Sequence, residues 1–123
     1  MRAQGGILRV EPRDEFYTAR ALNLDFSSYE DFMSKYWFDV DPETWSRIWS
    51  YLREFDDTGL MVRQGVIDIG DFYQMVGMAL ISLWEKYKPL IEGRRKDSDP
   101  KTMDWFEYLI EELKKEHKRQ SNR

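Results

Sequence analysis

The chain has 123 residues, 41% of them apolar and 34% charged, with no cysteine, one histidine and a formal charge of −4. Those figures fit one globular domain and exclude a disulfide framework, a thiolate metal site and a multi-histidine site. The mild acidity also disfavours a dedicated nucleic-acid binder, which is usually strongly basic.

Residues 1–12 read as an N-terminal arm. Ile7-Leu8-Arg9-Val10 is the only short run with β character, and it stands alone. The first residues lack the apolar stretch of a signal peptide, and no apolar run approaches the roughly 18–20 residues of a membrane span. For a cysteine-free chain the cytoplasm is then the default compartment.

Three acid–proline pairs punctuate the chain: Glu11-Pro12, Asp41-Pro42 and Asp99-Pro100. Proline is tolerated in the first turn of a helix, and a preceding Asp caps the orphan amides. A first helix is expected over Arg13–Leu24, with Phe16, Ala19, Ala21 and Leu24 on neighbouring faces. Ser28-Tyr29-Glu30-Asp31 offers a capping-box-like start for a short helix through Trp37. A third helix begins after Asp41, its Trp45, Ile48, Trp49, Leu52 and Phe55 recurring at three- and four-residue spacing. It ends near Gln64, with Gly65 at the position that needs a left-handed backbone.

Asp68 caps a fourth helix, the longest, near residues 69–95. Phe72, Val76, Ala79, Leu80, Leu83, Tyr87 and Ile91 mark one broad face, and Pro89 inside the pattern predicts a kink. A fifth helix opens at Pro100 with Asp99 as its cap; Trp105, Phe106, Leu109, Ile110 and Leu113 form its stripe. Beyond Leu113 the residues are charged, and 114–123 reads as a solvated, fraying tail. The expectation is an all-α fold: a compact, largely antiparallel bundle of about five helices forming one domain over 13–113.

Several spaced elements together resemble the domain of unknown function 4760 family. They are Tyr51-x-x-x-Phe55, the run Gly59–Asp68, the run Leu83–Ile91, Arg95, and Trp105-Phe106-Glu107-Tyr108-Leu109. The resemblance covers roughly residues 42–113, and Glu15–Arg20 looks like the family's first helix. It implies an all-helical domain and no particular activity.

The candidate sites each have a structural reading. Asp39, Asp41 and Glu43 lack the glycine and the twelfth-position Glu of a calcium loop, so capping is the better account. Arg94, Arg95 and Lys96 lie at a helix end that favours cations, and could alternatively hold phosphates or an anionic membrane surface. Trp45, Trp49 and Trp84 sit at core spacing but could stack on a ligand. Gly70 and Gly77, seven apart, would allow another helix to approach. Glu107 and Arg95 are placed to tie the turn between the last two helices. His117 falls in the basic tail, where it should be exposed.

No catalytic, metal or cofactor motif stands out. Five Trp, seven Tyr and seven Phe exceed ordinary use, and each ring buries on the order of 150–250 Å². The leading expectation is therefore a helical protein–protein interaction or self-association module. Its surface would use Tyr29, Trp37, Phe38, Trp84, Arg94 and Arg95, and its partner would be an unidentified protein or a second copy. The alternative is a ligand-binding or catalytic pocket between helices, lined by Trp and carboxylates. The third is polyanion or anionic membrane-surface binding through the basic helix ends.

Overall fold

Three helices begin where a side chain can reach an amide three residues ahead. The computed structural model describes residues 23–122. In α1 (Tyr29–Tyr36) the Ser28 Oγ accepts the Asp31 N–H at 3.0 Å, and the Asp31 carboxylate reaches back to the Ser27 N–H at 2.8 Å. In α2 (Pro42–Arg63) Asp41 accepts the Thr44 N–H at 3.2 Å, with Pro42 in the first turn. In α3 (Ile69–Val76) Asp68 accepts the Asp71 N–H at 3.0 Å. Gly65, at φ +80°, closes α2 in the left-handed region, and the Val66 N–H donates back to the Met61 carbonyl at 2.9 Å.

The long helix expected near 69–95 is instead two helices, α3 and α4 (Ala79–Asp97). Gly77 separates them at φ 55° and ψ −137°, a backbone region open to glycine and steeply unfavourable for other residues. Periodicity carries no trace of the break because Phe72 and Val76 before it, and Leu80 and Leu83 after it, pack on the same core. Gly77 is therefore a chain break rather than a helix-packing notch. Pro89 lies within α4, which continues to Asp97.

The last helix, α5 (Asp104–Ser121), starts four residues later than Asp99-Pro100 implies. Asp99 caps a turn instead of a helix: its Oδ1 accepts the Lys101 N–H at 2.9 Å, and its carbonyl accepts the Thr102 N–H at 3.0 Å. α5 also runs past Leu113, in place of the fraying tail expected there. Its last turns are held by polar contacts that an apolar stripe cannot reveal. Glu116 is buried and accepts from Arg119 and Gln120; His117 Nδ1 lies 2.7 Å from the Tyr73 hydroxyl; Gln74 donates to Gln120 at 3.0 Å. His117 is accordingly half-buried rather than exposed.

The five described helices are not the five expected, since the fourth is divided and the first falls almost wholly outside the described residues. So do residues 1–12 and the Ile7–Val10 run. No strand occurs among the described residues.

α4 contributes most to the core, with Leu80, Leu83, Trp84, Tyr87, Leu90 and Ile91 buried. Phe106, Leu109, Ile110 and Leu113 of α5, Ile48 and Leu52 of α2, and Phe32 of α1 complete the core. The most extensive helix contact is between α2 and α5. Gly59, in the second half of α2, makes it possible: a Cβ there would collide with the Trp105 carbonyl of α5. The Tyr29 ring packs directly on Gly93 of α4, where a Cβ would collide with it. No described helix is long and apolar enough to cross a membrane.

Candidate functional site

Trp45, Trp49, Arg53 and Asp56 succeed one another at four-, four- and three-residue spacing, which aligns them along one face of α2. Opposite them stand Arg94 near the end of α4 and the turn residues Ser98, Asp99, Lys101, Thr102 and Met103. Between the two walls lies an open cleft of about 360 Å³.

Its aromatic floor is fixed by neighbours. Trp45 and Trp49 stack with centroids 5.1 Å apart and planes at 13°. Trp37 meets Trp45 edge-on at 4.7 Å, and Phe32 approaches it at 6.2 Å. Such ring contacts each contribute about 0.5–1.5 kcal/mol beyond area burial, so Trp45 is clamped. Trp49 has Trp45 on one side and no second ring partner among the described residues.

The cleft's charges are arranged unequally. Asp56 Oδ1 accepts the N–H groups of Trp105 and Phe106, both at 2.9 Å, and so caps α5 from α2. Asp99 is committed to its own turn. Arg94 is held by Tyr29: its Nη1 donates to the Tyr29 hydroxyl at 3.3 Å, and its guanidinium lies 4.8 Å from the Trp37 ring centroid. The Tyr29 hydroxyl donates to Asp97 at 2.9 Å. Burial raises the Tyr29 phenol above its ordinary value, partly offset by the Arg94 bond, so the hydroxyl keeps its proton at neutral pH. Arg53 and Lys101 form no ion pair among the described residues.

Met103 also lines the cleft. It is buried and sits at φ +61°, the single non-glycine residue with positive φ among those described. Holding a side chain there costs about 1–2 kcal/mol. The chain reverses at this point so that α5 can present its first amides to Asp56.

Arg95, next to Arg94, faces elsewhere. Its Nε donates to the Thr102 carbonyl at 2.7 Å, and its Nη2 pairs with Asp104 at 3.3 Å and Glu107 at 2.9 Å. It ties the α4–α5 turn and is occupied there. The remaining sequence candidates are scattered. Phe38 is 53% exposed beside Trp37, whereas Trp84 is 4% exposed and packs against Phe106, so it belongs to the core and not to a partner surface. Glu43 pairs with Arg47 at 2.8 Å, and no acidic or His cluster among the described residues could hold a metal ion.

Sequence reasoning passes over Arg53, Asp56, Lys101 and Met103. The alignment of Arg53 and Asp56 with the two tryptophans is a signal that the chain does carry. The pairing of Asp56 with amides 49 and 50 residues away leaves no such signal.

A second concavity, a groove of about 230 Å³, lies on the other flank of α2. Tyr51, Phe55, Val76, Ala79, Leu80 and Leu83 line it. Met75, 61% exposed, borders it, and Met78 nearby is 43% exposed.

Residues 11–113 match the family described as Domain of unknown function (DUF4760). The chain belongs to this family. The DUF4760 segment holds every residue of the cleft and the groove, while Glu116 and His117 lie beyond it. Comparison with curated proteins and with solved structures gave no match.

Proposed function

We propose that this DUF4760 domain is a ligand-binding module whose working site is the cleft between α2 and the α4–α5 turn, and that the ligand is a small anion. One observation carries the reading. Arg53, Arg94 and Lys101 line a single cleft whose two carboxylates are engaged by backbone amides. Cationic donors beside a stacked ring pair suit the holding of charge rather than bond making, and the Thr102 hydroxyl is spent on the Asp99 carbonyl at 2.7 Å.

A ligand that binds only the folded chain stabilises it, by about 2.7 kcal/mol at a hundredfold excess over Kd. Thermal unfolding in inorganic phosphate, with ionic strength held constant by chloride, should show a higher Tm. The double variant Arg53→Met, Lys101→Met should abolish that rise. An identical melt in phosphate and chloride rejects the reading.

A second reading is self-association through the apolar groove, favoured by the exposure of Met75 and Met78. Flexible methionines suit adaptable contacts. Light scattering should then give twice the chain mass, falling to a monomer in the Met75→Glu, Met78→Glu variant. A monomer at all concentrations removes it.

A further inference from the structure

We infer that the ligand of the cleft joins its negative charge to a flat aromatic ring, as a nucleoside monophosphate or another aryl phosphate does. This rests on the small-anion reading above and narrows it.

The tryptophan pair offers a stacking surface. Trp45 is packed on by Trp37, Phe32 and Trp49, which hold its ring in place. Trp49 lies parallel to it at 5.1 Å and is half-buried, with a face that no other described ring covers. Trp49 also lines the cleft, so a planar ligand stacked on its ring would extend the existing pair. Preorganised rings of this kind bind bases without reading their edges.

Three cations line the same cleft. Arg53 is one helical turn from Trp49 on the same face, so charge and ring stand side by side. Arg94 stands in the opposite wall with one guanidinium nitrogen held by Tyr29, whose hydroxyl donates to Asp97. Guanidinium groups present planar pairs of donors that match phosphate oxygens. Lys101 adds a third, exposed charge on the turn. A dianionic phosphate between these groups would meet three cations while both carboxylates remain engaged with backbone.

About 360 Å³ is near the lower end of small-ligand sites, which run from about 300 to 1,000 Å³. That volume suits one base or ring with its phosphate. A cleft of this volume argues for a single compact occupant rather than a polymer threaded through.

The test is a tryptophan-fluorescence titration of the full chain with adenosine monophosphate, adenosine and inorganic phosphate at one ionic strength. Adenosine monophosphate should bind at least about tenfold more tightly than either of its parts, and should quench emission. Arg53→Met should weaken adenosine monophosphate by about tenfold and leave adenosine unchanged; because Arg53 is exposed, the variant's melt should match the parent's. Trp49→Leu should reduce affinity for adenosine monophosphate to that for phosphate. Equal affinity for phosphate and adenosine monophosphate overturns the ring but leaves the small-anion reading intact. Binding of neither overturns both. Adenosine binding as tightly as its monophosphate removes the role of the cations. A single-stranded oligonucleotide binding more than about tenfold tighter than the mononucleotide overturns the compact occupant in favour of nucleic acid.

Discussion

The two flanks of α2 are built on opposite principles. The flank toward the α4–α5 turn is a polar cleft whose walls are fixed by directional contacts: Asp56 on two amides, Arg94 on Tyr29, Trp45 between three rings. The flank toward the α3–α4 break is an apolar groove edged by flexible methionine side chains, and α3 itself has no fully buried residue. A fixed, charged site discriminates between ligands, because an ill-fitting one leaves donors unpaired. An apolar groove edged by methionine adapts instead. The same helix thus offers a selective surface and an accommodating one, and substitutions can be chosen that strike one and spare the other.

The largest effect should come from Gly59→Ala. The new Cβ meets backbone at Trp105, which cannot rotate aside, so α2 and α5 must separate. A loss of about 3 kcal/mol in urea unfolding is expected, with the cleft's ligand affinity lost along with it. Retained stability would mean that the two backbones are not in contact and that the polar flank is less rigid than its directional contacts imply.

Asp56→Ala comes next and separates stability from binding. It removes the acceptor for two amides at the start of α5 and should cost about 1–2 kcal/mol. It also removes a negative charge from the cleft, so phosphate affinity should rise while the melt falls. Movement of both in the same direction would break the separation. Glu107→Ala should be milder, about 0.5–1 kcal/mol, since Glu107 is partly exposed and Arg95 keeps Thr102 and Asp104. Because Arg95 is not part of the cleft, ligand affinity should not change.

A smaller effect is set by pH on α1. The Ser27 N–H, and after it Lys35, hold the Asp31 carboxyl below its ordinary value of 3.8. A carboxyl lowered by folding stabilises the fold above its ordinary value, and that contribution fades as pH falls through the lowered one. Asp31→Asn should therefore flatten the acid limb of the stability profile below about pH 4 and leave cleft and groove alone. A profile unchanged by the substitution would show that the Ser27 contact is not maintained.

What can be read from the chain in advance is local. Ser28, Asp41 and Asp68 each reach an amide three residues on, and Gly65 comes just after the last turn of its helix. The Arg95–Glu107 tie spans only a turn, so its partners stand near each other in sequence. The features that escape depend on distant or non-apolar partners. α5 is capped by Asp56 from another helix, so its own Asp99 misleads about where it starts. Its last turns are secured by Glu116, His117 and Gln120, none of which contributes to an apolar stripe. The cleft escapes for the same reason, because its cations come from α2, α4 and a turn brought together only by folding. Trp84 suggests a partner surface only because one apolar stripe cannot report that α4 is covered on several sides.

The left-handed glycines at the two ends of α3 have a dynamic consequence. Gly65 and Gly77 bracket an eight-residue helix that buries no side chain completely, tethered to α5 by Tyr73 and Gln74. Local openings start where burial is least, and α3 packs on the core only through the partly buried Ile69, Phe72, Tyr73 and Val76, so it is expected to open before α4 and α5 do. Amide protons of residues 69–76 should exchange with solvent well before those of α4, at a rate set by detachment rather than by global unfolding. Because Met75 and Val76 line the groove, each such opening should also change the shape of the adaptable flank of α2.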